Sequence, residues 1–86
     1  MDEELIGRVV KFFSKPSVAA VEITSGTVRV GDSIRIKGHT TDLEGTVDSM
    51  QIEKESIEEA EPGFLVGIKV KDRVREGDKV FKVKSQ

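Results

Sequence analysis

Apolar residues in this chain recur at every second position, in short runs separated by turn formers. Ile34 and Ile36 alternate with Ser33, Arg35 and Lys37, and Phe64, Val66, Ile68 and Val70 alternate with Leu65, Gly67, Lys69 and Lys71. A period of two marks strands with one face in a core and one in water. Val9, Val10, Phe12 and Phe13 form a denser run after Gly7, Ala19, Val21 and Ile23 form another, and Val80, Phe81 and Val83 a closing one. Between them lie Ser14-Lys15-Pro16-Ser17, Thr24-Ser25-Gly26, Gly38-His39-Thr40-Thr41-Asp42 and Glu61-Pro62-Gly63. Pro62 and Gly63 suit the centre of a type II turn, whose third position requires a positive φ. This pattern predicts an all-β fold of about six to seven short strands. A chain of 86 residues holds one core, so residues 1–86 are read as one domain. Closing the sheet into a barrel removes its exposed edges.

One segment departs from the alternation. Glu53 to Glu61 is rich in helix formers but has only Ile57 and Ala60 as an apolar stripe, enough for one turn at most. It reads instead as a solvated connection with those two residues tucked under the barrel. The ends, Met1–Glu4 and Lys84–Gln86, read as frayed. With no cysteine, tryptophan or tyrosine, the core falls to aliphatics and the four phenylalanines. Phe12 and Phe13 cannot both point inward on a regular strand, so one is exposed, at a rim, or placed by a bulge.

Composition excludes several classes. Disulfide staples, cysteine zinc sites and a cysteine nucleophile all require a residue the chain lacks. No run approaches a membrane-spanning length, and Met1-Asp2-Glu3-Glu4 is acidic where a secretory signal is basic, so a cytoplasmic protein without a membrane partner is expected. The net charge of -2 gives no general attraction to polyanions. Charge is nevertheless uneven: Asp42–Glu61 holds eight acidic residues and one basic, Pro62–Gln86 seven basic and three acidic. Either these segments face different ways and make the domain polar, or strand pairing interleaves them.

Two stretches nearly repeat, Val28-Arg29-Val30-Gly31-Asp32-Ser33-Ile34 and Val74-Arg75-Glu76-Gly77-Asp78-Lys79-Val80. A calcium loop needs several converging carboxylates, and a phosphate loop needs more glycines opening onto a helix. Neither copy has them. Gly31-Asp32 and Gly77-Asp78 are therefore read as tight turns, each launching a strand, with the aspartate bonded to nearby backbone amides. His39, the only histidine, sits in a polar loop and would be the sole base for a triad. The pairs Glu53/Glu55 and Glu58/Glu59 could serve acid–base chemistry only if burial split their pKa values. No catalytic, metal or cofactor-binding set emerges. The basic run Lys69, Lys71, Arg73 and Arg75 remains, read as an outer stripe able to neutralise phosphates or meet an acidic partner, without an interleaved aromatic.

The ordered pieces resemble a known family. Gly26-x4-Gly31-Asp32-x-Ile34-x-Ile36-x-Gly38, then Gly45-x-Val47-x-x-Met50, Ile57-x-x-Ala60-x-Pro62-Gly63-x-x-Val66-Gly67-Ile68, and Arg75-Glu76-Gly77-Asp78-Lys79-Val80 resemble domain II of translation GTPases such as elongation factor Tu. The resemblance runs from about Ile6 to Val83 and implies a small antiparallel Greek-key β-barrel of the translation-protein type. The GTPase domain of those factors has no counterpart here, so no GTP binding is expected. The family's Gly-Arg-Gly-Thr-like hairpin is replaced by Phe13-Ser14-Lys15-Pro16-Ser17-Val18-Ala19-Ala20, closer to the barrel that ends collagenase-like peptidases. Two roles follow from the resemblance. One is a noncatalytic module docking on RNA, the ribosome or a translation-related protein. The other is an accessory subunit packed on a peptidase-like enzyme.

Overall fold

The computed structural model of the protein describes residues 2–15 and 17–84, and the strands lie among them. They are β1 (Asp2–Phe13), β2 (Val18–Ile23), β3 (Val28–Arg29), β4 (Ser33–Lys37), β5 (Asp42–Thr46), β6 (Met50–Ile52), β7 (Glu55–Ile57), β8 (Glu59–Ala60), β9 (Leu65–Lys69) and β10 (Lys79–Lys84). Six have five residues or more and four are segments of two or three, which accounts for the six to seven strands expected. Eight form an antiparallel sheet in the order β5-β4-β10-β1-β2-β9-β6-β7, and β3 pairs with β8. The sheet curls into a barrel in which β10, last in sequence, lies between β1 and β4.

The alternating apolar residues face inward as the period demands. Ala19, Val21 and Ile23 of β2, Ile34 and Ile36 of β4, and Val66 and Ile68 of β9 are buried, joined by Ile6, Val9, Met50 and Val80. Contrary to expectation, the core is aliphatic: Phe12 and Phe64 only pack against its edge, and Phe13 is 45% exposed. The β1–β2 register shifts between Val9 and Lys11, a bulge that turns Phe12 inward and Phe13 out. The turn signal at Pro16 lies outside the described residues; the rest of that loop joins β1 to β2.

Both Val-Arg-x-Gly-Asp copies are turns, and they are built alike. In the first, Asp32 Oδ2 accepts the Arg29 backbone N–H at 2.8 Å, and the Asp32 N–H returns to the Arg29 carbonyl at 3.0 Å. In the second, Asp78 Oδ2 accepts the Arg75 N–H at 2.9 Å, and the Asp78 N–H returns to the Arg75 carbonyl at 3.1 Å. The glycines take φ values of 99° and 91°, where side chains are disfavoured. Each turn is also latched to a buried valine. Gly31 donates to the Val47 carbonyl and Val47 to that of Asp32; Gly77 donates to Val9 and Val9 to Asp78, all at 2.8 Å. The strands they launch, β4 and β10, pair with each other around Arg35↔Phe81. Their pairings match: Ile34 lies opposite Gly45 as Val80 lies opposite Gly7, Ser33 opposite Thr46 as Lys79 opposite Arg8, and Val47 bonds Asp32 as Val9 bonds Asp78. The barrel therefore contains a local two-fold axis through the Arg35–Phe81 pair.

At the Glu61-Pro62-Gly63 turn, the Phe64 N–H closes on the Glu61 carbonyl at 3.1 Å, and Gly63 has φ 96°, as a type II turn requires. Two readings need correction. Most of residues 53–61 lie in strands, β7 and β8: β6 and β7 are joined by the two-residue turn Glu53-Lys54, whose φ values of 49° and 71° are those of a type I′ hairpin. Ile57 is half-buried and Ala60 buried beneath the barrel. The ends do not fray where described, because Asp2 pairs with Lys84 and Glu3 with Val83. Met1, Ser85 and Gln86 lie outside the described residues.

Charge holds the start of β1 in place. Glu3 bridges two cations of β4, Lys37 at 3.2 Å and Arg35 at 3.3 Å, and Arg35 also grips Asp42 of β5 at 2.9 Å. Its bond with Lys37, then Arg35, holds the Glu3 carboxyl below its ordinary range, and Arg35 does the same for Asp42. Between them the two carboxylates raise the Arg35 guanidinium further.

Gly31→Val and Gly77→Val should each lower unfolding free energy by about 1–3 kcal/mol in urea titrations. Asp78 is 5% exposed, so Asp78→Ala should cost about 1.5–3 kcal/mol and more than Asp32→Ala. The Glu3–Arg35–Asp42 cluster sets a pH dependence. Carboxylates whose folded pKa lies below the unfolded value contribute fully only above about pH 5, clear of the unfolded values, and the contribution vanishes as pH falls through the folded values. Melting temperature should thus decline on acidification from about pH 5 to pH 2.5, and Glu3→Gln should flatten that decline.

Candidate interaction surface

The four cations singled out in the sequence do not form one strand stripe. Lys69 ends β9, and Lys71, Arg73 and Arg75 lie in the irregular segment that carries the chain to β10. That segment folds against the tip of the β1–β2 hairpin. The Val70 N–H donates to the Ser17 carbonyl, and the Ser17 hydroxyl to the Val70 carbonyl, both at 3.0 Å. Val74 is buried between Arg73 and Arg75, which line a shallow recess with Phe12 and Glu76. The turn at Gly77-Asp78 then fixes where this segment ends.

Among the described residues, five cations of the barrel wall are ion-paired, whereas these four, like Lys11, Lys15, Lys54 and Lys79, are not. Arg8 pairs with Glu22 at 2.9 Å, Arg29 with Glu59 at 2.8 Å, and Lys82 with Asp32 at 3.4 Å, besides the Arg35 and Lys37 pairs. Among the described residues, the side chains of Lys69, Lys71, Arg73 and Arg75 have no ion pair or hydrogen bond. None of the described ion pairs joins the acidic segment Asp42–Glu61 to the basic segment Pro62–Gln86. Pairs with other parts of the chain answer some of each segment's charge, Asp42 with Arg35, Glu59 with Arg29 and Lys82 with Asp32, and leave the rest of the described charges there without an ion pair.

An aromatic does accompany the cations, which the sequence reading missed. Phe13 lies opposite Val18, and Val18 opposite Lys69, so the three form one row across β1, β2 and β9. Lys11 sits over the Phe13 ring, its Nζ 5.3 Å from the centroid. The signal available was the Phe12-Phe13 doublet, and only the bulge decides which ring faces out.

The other candidates stay apart. His39 is exposed in the turn closed by the Gly38 N–H to Thr41 carbonyl bond, and Asp42 beside it is engaged by Arg35. Glu53, Glu55, Glu58 and Glu59 are all exposed. Among the described residues no group of three or more His, Asp or Glu side chains is placed to hold a metal ion, and no helix is long and apolar enough to cross a membrane. A second groove, of about 180 Å3, opens beside β5: Ile34, Ile36, Leu43 and Val70 supply apolar walls, and Glu44, Asp48, Lys69 and Lys71 also line it.

The sequence pattern of elongation factor Tu domain 2 matches residues 17–78. An uncharacterised protease of Methanocaldococcus jannaschii is 46% identical over 80 residues, which cover 92% of this chain and 19% of the protease. A collagenase of Porphyromonas gingivalis is 37% identical over 78 residues, 90% of this chain and 22% of the collagenase. This chain thus spans about a fifth of the length of those relatives. Among solved structures, the C-terminal domain of a candidate U32 peptidase from Geobacillus thermoleovorans has a TM-score of 0.86 at 20% identity, covering 94% of this chain and 93% of that one. GDP-bound aIF5B from Aeropyrum pernix gives 0.63 at 23% identity, over 93% of this chain and 14% of its own. At these identities the two structures share the fold.

Proposed function

The chain belongs to the elongation factor Tu domain 2 family, and from that membership we propose a noncatalytic docking module whose basic end holds RNA. The observation that carries this reading is the contrast in partnering. Arg8, Arg29 and Arg35 are each ion-paired within the barrel, whereas Lys69, Lys71, Arg73 and Arg75 offer unpaired charge, Lys69 in one row with the exposed Phe13 ring and Arg73 and Arg75 around Phe12. Like charges crowded into one segment repel one another, and a polyanion relieves that repulsion by displacing condensed counterions. Phe13, flanked by Lys11, supplies the flat apolar face on which an unpaired base stacks. Such a surface binds backbone and base faces and carries no reaction of its own.

A second reading is favoured by the relatives. Protease and collagenase chains contain a segment like this one as about a fifth of their length, so the barrel can serve as an accessory part of a peptidase-like protein. There the exposed apolar residues Leu5 and Leu65 become contacts, and salt has little influence on the association.

Fluorescence anisotropy with a labelled single-stranded RNA, titrated across salt concentrations, separates the two. Affinity should fall steeply with salt, and replacing all four cations by alanine should abolish binding and remove a slope of up to about 3, at roughly 0.7 per phosphate contact. Phe13→Ala should cost about 1–3 kcal/mol. Unchanged affinity in the four-fold variant would remove RNA from this surface. A protein partner retained by that variant, insensitive to salt and lost with Leu65→Ser, would establish the accessory role.

A further inference from the structure

The local two-fold axis exposes a difference between its halves. On one side β1 is bonded to β10 along one edge and to β2 along the other, so Gly7 lies opposite both Val80 and Ile23. On the other side β5 is bonded to β4, with Gly45 opposite Ile34, and is the terminal strand of the sheet. A Cβ built on Gly7 would overlap the Glu22 carbonyl of the covering strand, whereas one on Gly45 meets nothing within 4 Å. The place that β2 fills beside Gly7 is open beside Gly45, and the groove of about 180 Å3 lies there.

We propose that the β5 edge and this groove form a docking site for an extended segment of a partner protein, added antiparallel as a further strand. Backbone geometry supports this. The bonds at the ends of the β4–β5 ladder, Gly38 to Thr41 and Val47 to Asp32, put Thr41 and Val47 among the residues that face β4. By the alternation of antiparallel ladders, Leu43 and Gly45 face it too, and Asp42, Glu44 and Thr46 turn their N–H and C=O groups outward. Those groups offer the main-chain bonds of strand addition. Side chains set the partner's chemistry. An apolar residue of the added strand enters the groove above Leu43, Val70 and the empty face of Gly45, while its neighbour lies beside the exposed Glu44. A basic residue is favoured beside Glu44, and an acidic one nearer Lys69 and Lys71, which also line the groove. The Glu44 charge rejects a second copy, because two β5 edges paired about a two-fold axis would set Glu44 against Glu44.

The test uses a capped synthetic hexapeptide alternating valine with threonine and a central lysine, titrated into 15N-labelled protein. Shifts confined to residues 42–46 and 69–71, with slowed exchange of the Asp42, Glu44 and Thr46 amides, are expected. Methylating the peptide nitrogens that face β5 should weaken binding about tenfold, the equivalent of one or two hydrogen bonds. Gly45→Val fills the groove where no neighbour obstructs it and should abolish peptide binding with an unchanged melting temperature. Glu44→Lys should reverse the preference from a central lysine to a central glutamate. No response at millimolar peptide, full affinity in Gly45→Val, or indifference to methylation would overturn the proposal, as would dimerisation through β5. Lys69 and Lys71 belong to both surfaces, so RNA affinity is measured on Gly45→Val as well: lost peptide binding with RNA binding retained separates the two.

Discussion

The barrel depends on a latch used twice. A glycine in a left-handed conformation donates to a buried valine, that valine donates back to the following aspartate, and the aspartate carboxylate takes up a backbone amide three residues earlier. Every buried backbone group must find a partner, and a tight turn over a core has few to offer. The latch satisfies five backbone groups at once and fixes the register of two strands. Since those strands are neighbours, the two latches hold opposite ends of the same β4–β10 pair. Gly38 shows how closely the parts fit, as a Cβ there would collide with the Asp78 carboxylate. A cation at either Gly-Asp would compete with the backbone for a carboxylate already committed, and a phosphate would meet that carboxylate as a like charge.

Much of this was legible because it is local. Alternation along 33–37 and 64–70, and the glycines that need positive φ, follow from short-range sterics and the two-residue pleat. The hairpin at Glu53-Lys54 was hidden because type I′ turns are normally announced by asparagine and glycine, and here ordinary side chains adopt that conformation. The acidic start of β1 resembled a tail, since nothing nearby in sequence answers Glu3; its partners, Arg35 and Lys37, are more than thirty residues away. For the candidate surface, the four cations were legible and the aromatic was not. Outward placement of Phe13 follows from a bulge, a property of strand pairing that one strand's sequence does not carry.

Ion pairing divides the charged residues into two groups. Exposed pairs such as Arg8–Glu22 and Arg29–Glu59 stabilise little individually, but they neutralise the barrel wall and set cross-strand partners. The segment 69–75 has no such ion pair, although Asp72 stands between Lys71 and Arg73 in sequence. Strand register accounts for this. Residues beyond the end of β9 have no cross-strand neighbour to carry a countercharge, and the Ser17–Val70 bonds hold them against a hairpin whose own charges are Lys11 and Lys15. The topology thus concentrates positive charge at one end without any excess in the whole chain.

The same crossing segment produces the open seam. To bring β10 back between β1 and β4, the chain must leave β9 at Lys69 and pass across the barrel end, which draws it away from β5. Continuing β9 beside β5 would close the wall but leave β10 no route to its place. The seam and the unpaired cations are therefore two consequences of one connection. A closed barrel with a neutral rim would need a different topology, and the Gly77-Asp78 latch, by fixing where β10 begins, maintains the connection that excludes it.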